Sequence, residues 1–204
     1  MAGSSPRIGV LALKGDVREH VETLNSLGVN PVEVRTLEQL AHVDALVIPG
    51  GESTVIDKLT RLFDLADPIK KRIAEGMPVL GTCAGLIMLA DSLSDGTSDQ
   101  QTFGGLDVTV RRNAFGAQVD SFETSIEMPV VSSTPVAATF IRAPIIEHVG
   151  PRATVIAQLA DGTVVGAQQD NIIGISFHPE VSGESRIHKY FLNVVADALG
   201  SSER

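Results

Sequence analysis

Met77-Pro78-Val79-Leu80-Gly81-Thr82-Cys83-Ala84-Gly85-Leu86-Ile87-Met88-Leu89-Ala90 holds the one cysteine of the chain, and its reading decides the fold. Its first four residues read as a short apolar strand and its last five as a buried helix. Gly81 and Gly85 let the chain turn between them without a side-chain clash. A G-x-C-x-G at a strand-to-helix junction is the cysteine form of a nucleophile elbow. It lifts Sγ clear of the backbone and points a helix N-terminus at it. That setting favours the thiolate, the reactive form. A lone cysteine is more often inert packing, but the flanking glycines and the strand–helix context turn this one toward nucleophilic chemistry.

Two further strand ends carry chemistry. Ile172-Ile173-Gly174-Ile175-Ser176-Phe177-His178-Pro179-Glu180 is an apolar strand running into His-Pro-Glu. Pro179 cannot extend a ladder, so the strand stops there. Period two places His178 and Glu180 on one side of an extended segment, where Glu180 orients the imidazole and leaves its other nitrogen for a thiol. Asp44-Ala45-Leu46-Val47-Ile48-Pro49-Gly50-Gly51-Glu52-Ser53-Thr54 is another apolar strand, ending in Pro-Gly-Gly. Paired glycines let a backbone N–H approach a reacting carbonyl oxygen. The same loop also reads as a plain βα turn with Ser53 or Thr54 capping the next helix. The G-x-x-x-x-G-K-[ST] of a phosphate loop is absent.

Around these landmarks strands and helices alternate. Strands are expected at 8–13, 32–34, 45–48 and 77–80, with helices at 16–27, from the Gly-Gly loop through 62, at 69–74 and at 86–90. This βα grammar predicts a parallel, doubly wound sheet with right-handed crossovers. From about residue 105 short strands follow one another at 108–110, 125–127, 139–142, 154–159, 163–167 and 172–176. Asp161-Gly162 and Asp170-Asn171 read as hairpin turns. A helix over 184–199, capped by Gly200, closes the chain. The expected fold class is α/β: a three-layer sandwich around a mostly parallel central sheet with an antiparallel C-terminal part. Residues 94–104 read as a polar, mobile loop and residues 1–7 as a disordered start, leaving 8–200 as one domain. Ligands in such sheets bind beyond the carboxyl ends of the strands. Gly50-Gly51, Cys83 and His178 each follow such an end, so three separate strand readings converge on one edge.

With Pro-Gly-Gly-Glu-Ser-Thr, Gly-Thr-Cys-Ala-Gly and Phe-His-Pro-Glu in that order, the chain resembles the class I (triad-type) glutamine amidotransferases. It is most similar to the glutaminase subunits of two-protein pyridoxal 5'-phosphate synthases. Ile8–Leu11 with Ala12-Leu13, Val17-Arg18-Glu19-His20, Arg112-Asn113-Ala114-Phe115-Gly116, Gln118-Val119-Asp120-Ser121-Phe122-Glu123 and Phe140-Ile141-Arg142-Ala143-Pro144 extend the likeness from about residue 8 to about 195. The family usually has Gln where Lys14 stands. The resemblance implies a flavodoxin-like fold and a Cys83–His178–Glu180 triad that hydrolyses L-glutamine to glutamate and ammonia. It also implies an oxyanion hole from the N–H groups of Gly51 and Ala84, and a glutamine pocket from Gly50, Gly51, Glu52, Arg112, Ile141 and Arg142. The ammonia would pass to a synthase subunit in a hetero-oligomer, for vitamin B6 synthesis. Taken alone, Arg112 and Arg142 read as solvated surface residues. Other readings are a glutaminase serving another acceptor, such as imidazole glycerol phosphate synthase or an aromatic-acid synthase, a cysteine peptidase on a similar sheet, and a catalytically silent regulatory subunit.

Composition bounds the partners. The 204 residues carry 16 Lys and Arg against 25 Asp and Glu, a net charge of −9, and the pI is about 4.9. That balance argues against nucleic acid and against an anionic membrane surface. One cysteine excludes an internal disulfide and a cysteine-based zinc cluster, and the five histidines lack metal-ligand spacing. No cofactor and no metal are expected. The run 8–13 is too short for a signal or membrane segment, so the chain reads as cytoplasmic.

Overall fold

The computed structural model describes residues 5–96, 99–112 and 121–202. The motif residues 113–116 and 118–120, part of the 94–104 loop and residues 1–4 lie outside them. Strands β1 (Ile8–Leu11), β2 (Val32–Val34), β3 (Ala45–Ile48), β4 (Val79–Thr82) and β12 (Ile172–Ile175) run parallel in the order β2-β1-β3-β4-β12. The sheet then continues through β11 (Val164–Gln169), β9 (Ile145–Val149), β6 (Leu106–Arg111) and β5 (Ala90–Leu93), with β10 (Thr154–Gln158) also paired to β11. β11 is antiparallel to β12, β9 and β10, so the expected antiparallel part is present. A separate hairpin joins β7 (Ser121–Ile126) to β8 (Val136–Ile141).

Strand alternation divides the core in two. Ala45 and Val47 of β3 pack with Leu80, Ile173, Ile175, Phe140, Ile187 and Phe191 on one face. Leu46 and Ile48 pack with Val79, Leu86, Ile56 and Ile69 on the other. A strand apolar at every position must be covered on both faces, which gives the three-layer sandwich. Helices α3 (Ser53–Leu62), α4 (Ala66–Ala74) and α5 (Ala84–Leu89) supply one cover. α1 (Val17–Ser26), α7 (Arg186–Ser202) and the β7–β8 hairpin supply the other.

Several elements depart from the sequence reading. α2 (Leu37–Ala41) forms because Thr36 and Gln39 make a reciprocal capping box. β5 follows α5 directly, so the helix ends at Leu89. α7 continues past Gly200 to Ser202, so that glycine does not cap it. The described part of the 94–104 loop bonds to the body of the domain. Gln100 Nε2 donates to Ser53 Oγ at 3.0 Å, and the Phe103 N–H donates to the Met88 carbonyl at 2.6 Å.

Candidate active site

Cys83 sits where β4 passes into α5, at φ 48°, ψ −103°. A non-glycine residue there is strained and needs its surroundings to hold it. The Cys83 N–H donates to the Ile175 carbonyl at 2.8 Å, which ties the turn to β12. On the other side Gly85 presses against β3, where a Cβ would lie 2.1 Å from the Ile48 carbonyl oxygen. The turn is therefore clamped between two neighbouring strands. Its thiol lies 4.0 Å from the Ile141 carbonyl. Ala84 is the first residue of α5, so its N–H has no acceptor within the helix.

His178 follows β12, and its N–H donates to the Thr139 carbonyl at 2.8 Å. The extended His-Pro-Glu of the sequence reading is not what forms. Pro179 opens a one-turn helix, α6 (Pro179–Ser182), with His178 at its N-cap. Proline suits that first position because its missing N–H would have no helical partner. Glu180 reaches His178 across this turn, with Oε1 2.8 Å from Nδ1. A second carboxylate, Asp16, lies 3.2 Å from the same nitrogen. Gly50 closes over the ring, since a Cβ there would lie 2.3 Å from Cε1. Burial pushes the imidazole down, but hydrogen bonds with Asp16, Cys83 and Glu180 outweigh it and hold His178 up to about 12. The His178 contact lowers Asp16 from its ordinary carboxylate value. Burial, opposed by that same imidazole, raises Glu180.

Behind Glu180 lies a fully buried pair of histidines. His20 Nε2 is 3.4 Å from Glu180 Oε1 and 3.1 Å from Thr82 Oγ1. His20 Nδ1 is 2.8 Å from His188 Nε2. Burial lowers His188 to about 4. Burial, with the nearby His188 and His178, lowers His20 well below the ordinary histidine value.

The site opens into a cleft of about 500 Å³. Cys83 and His178 line it together with Gly51, Glu52, Arg112, Ile141 and Arg142, so most of the expected site converges. Gly50 sits beneath the cleft with its carbonyl on the Asp16 N–H at 3.2 Å. Ala84 is buried at the base. Arg112 is already engaged: Nη1 donates to Gln100 Oε1 at 2.8 Å and Nη2 to the Asp95 carbonyl at 3.1 Å. Arg142 stands at φ 43° in the turn after β8 and is exposed. Asp16, Ser53, Ile87, His20 and His188 were not singled out for chemistry from the sequence. Asp16 read as a helix start, and His20 as one letter of a family stretch. Asp16, His178 and Glu180 bring donor atoms within 4.8 Å of one another, a cluster a cation could bridge. Their hydrogen bonds to one another already use those atoms. A second hollow, about 430 Å³, opens beside Met77 and Asn171 at the other ends of β4 and β12, lined by no cysteine, serine, threonine or histidine among the described residues.

Residues 10–197 match the model of the SNO glutamine amidotransferase family. Among curated relatives, pyridoxal 5'-phosphate synthase subunit PdxT of Leifsonia xyli subsp. xyli (strain CTCB07) is 59% identical over 192 residues, 94% of this chain and 96% of that one. The subunit of the same name from Clavibacter michiganensis subsp. michiganensis (strain NCPPB 382) is 54% identical, covering 96% of this chain and 94% of its own. A crystal structure of a glutamine amidotransferase superposes with TM-score 0.87 at 43% identity, over 93% of this chain and 98% of that one.

Proposed function

The chain belongs to the SNO glutamine amidotransferase family, and we propose that it is the glutaminase subunit of a pyridoxal 5'-phosphate synthase. It hydrolyses L-glutamine and passes the ammonia to a synthase subunit. Residues 8–200 act as one glutaminase domain. The observation that carries this reading is Cys83 at a strained strand–helix turn, lining one cleft with a buried imidazole that Glu180 in turn holds.

His178, oriented by Glu180, takes the proton of Cys83, and the thiolate attacks the side-chain amide carbon of glutamine. The oxyanion is received by the N–H groups of Gly51 and Ala84. The imidazolium gives its proton to the departing ammonia. Water, activated by His178, then hydrolyses the thioester to glutamate. Glu52, Arg112, Ile141 and Arg142 hold the amino-acid end of the substrate. Of the two arginines, Arg142 is the one available to the α-carboxylate, because Arg112 spends two donors on the 95–100 loop. Among the described residues no helix is long and apolar enough to cross a membrane. A thiol nucleophile that must stay reduced suits the cytoplasm.

The test is glutamate release from glutamine by the native chain and by Cys83→Ala, each with and without the synthase subunit. Release by the native chain and none by the variant supports the reading. Equal release by both would overturn it.

A further inference from the structure

The triad consumes three side chains, yet the polar cluster behind it continues. His20 and His188 are 168 residues apart in sequence and both are fully buried. Their contact at 2.8 Å, between His20 Nδ1 and His188 Nε2, needs one donor and one acceptor. The other His20 nitrogen faces Thr82 Oγ1 and the Glu180 carboxylate. A lone pair turned toward a carboxylate oxygen would repel it, so Nε2 carries the proton. Nδ1 of His20 is then the acceptor, and His188 Nε2–H donates to it. The proton positions run from His188 to His20, whose Nε2–H is shared between Thr82 Oγ1, its hydrogen-bond partner at 3.1 Å, and the Glu180 carboxylate 3.4 Å away. The chain ends at His188 Nδ1, which has no partner among the described residues. As an unprotonated nitrogen it is the cheaper atom to leave bare in an apolar core, since no N–H is stranded.

Glu180 has reason to need this support. Its Oε2 has no hydrogen-bond partner among the described residues. Oε1 bears the contacts, to His178 at 2.8 Å and to His20 at 3.4 Å. A buried carboxylate with so few donors drifts toward its neutral form. The four residues also come from four elements: His20 from α1, Thr82 from β4, Glu180 from α6 and His188 from α7. Their meeting point fixes the turn that carries His178.

We propose that His20, backed by His188, is a positioning residue for the glutaminase reaction that holds the Glu180 carboxylate against His178. This deepens the proposed function and rests on its assignment of Cys83, His178 and Glu180. The titratable groups facing Glu180 are His178 and His20; Asp16 and Cys83 face His178, and His188 faces His20.

The test uses the full chain and two readouts. One is the pH dependence of Cys83 alkylation by iodoacetamide, which needs neither glutamine nor a partner and reports one thiol only, because the chain has one cysteine. The other is glutamate formation with the synthase subunit present. His20→Leu removes the donor. It is expected to lower kcat about 10–100-fold with little change in KM. It should also move the alkylation midpoint about one unit toward alkaline pH, because His178 loses part of its anionic partner. His20→Gln, whose amide nitrogen reaches the place of Nε2, restores most of both. His20→Asn, too short to do so, does not, and this pair serves where leucine prevents folding. A native alkylation midpoint in His20→Leu and His20→Asn, or glutamine no better than asparagine, would overturn the proposal. A failure of the glutaminase reading would show separately, as glutamate release that survives loss of Cys83.

Discussion

Cys83 and His178 meet in one cleft, but the chain builds around them with different materials. Around Cys83 the material is backbone. The residue is held at positive φ by its own N–H on Ile175 and by Gly85 seated on the Ile48 carbonyl. Around His178 the material is side chains: Glu180, Asp16 and, behind them, His20, Thr82 and His188. A backbone clamp holds geometry without a titratable group and admits no extra atom. A side-chain network sets charge as well as position, so it responds to pH and tolerates graded change. In the proposed mechanism the nucleophile needs position above all, while the base needs a chosen protonation state, which only the second kind of support supplies.

The comparison can be broken most sharply at the reacting atoms. Cys83→Ala is expected to abolish glutamate release, a loss on the order of 10⁶ in kcat, with the fold intact by circular dichroism. His178→Asn should fall almost as far. Glu180→Gln should fall less, about 10²–10⁴-fold, because Asp16 still faces Nδ1. A near-native rate in Glu180→Gln would remove it from the triad.

The clamp itself is the next target. Gly85→Ala places a methyl 2.1 Å from a carbonyl oxygen that β3 cannot move. The expected cost is about 3 kcal/mol or more in denaturant unfolding. The alkylation rate of Cys83 should fall with it. Unchanged stability would show that the turn is not clamped.

The side-chain half should show its character in acid. An unfolded histidine titrates near 6.5, whereas His188 in the fold is held at about 4. Between those values the unfolded chain binds a proton that the folded one does not, so stability falls as pH falls through that window. The full loss is on the order of 3 kcal/mol. His20 acts in the same direction. His178, held far above 6.5 in the fold, works the other way near the top of that window, where the unfolded imidazole is only partly protonated, and Glu180, being raised, also opposes part of the loss. The decisive measurement is a difference: His188→Leu should lose less Tm between pH 7 and pH 5 than the native chain. Parallel curves would show that the pair carries no acid cost.

Substrate contacts come lower. Arg142→Ala should raise the KM for glutamine about tenfold, the low end for a charge-assisted hydrogen bond, because the side chain is exposed. Arg112→Ala should act through the 95–100 loop as well as the substrate, and so lower stability too. An unchanged KM in both would make them structural or solvated residues.

The same contrast explains what the sequence disclosed. The parallel strands β1, β3, β4 and β12 are short apolar runs, and their ends located Gly51, Cys83 and His178. Backbone devices leave local marks: glycines, a proline, a single cysteine between small residues. The polar network leaves none. His20 and His188 are ordinary letters until the fold brings α1 and α7 together. Glu180 was paired with His178 for the wrong geometric reason, since Pro179 starts a helix as readily as it ends a strand. β5 and β9 escaped notice because pairing decides them. Ala90–Leu93 follows α5 without a break, and Ile145–Val149 exposes Glu147 and His148 to solvent. Thr36 and Gln39 did carry a visible capping signal for α2.

The smallest expected effect lies where the two halves touch. The Gly50 carbonyl accepts the Asp16 N–H at 3.2 Å, and Gly15 packs directly on that carbonyl. A peptide unit is planar and trans, so the Gly51 N–H points away from the 14–16 loop for as long as that bond holds. The direction of the proposed oxyanion donor is thus set by the loop that carries Lys14. Gly51, at φ 146°, is free to turn if the loop lets go. Loss of such a donor costs roughly 10²–10³ in rate, enough to keep an unpartnered subunit from wasting glutamine. Lys14 is exposed on the rim of the cleft, where a docking synthase subunit would meet it. Docking there would select one orientation of the Gly50–Gly51 peptide, a population shift rather than new chemistry. The isolated chain is therefore expected to release glutamate slowly and to be stimulated by the synthase. Lys14→Ala should reduce that stimulation about two- to tenfold, as expected for a solvated contact. The measurement is the ratio of rates with and without saturating partner. A native ratio in the variant would separate the loop from activation and leave the Gly51 donor fixed by the Pro-Gly-Gly turn alone.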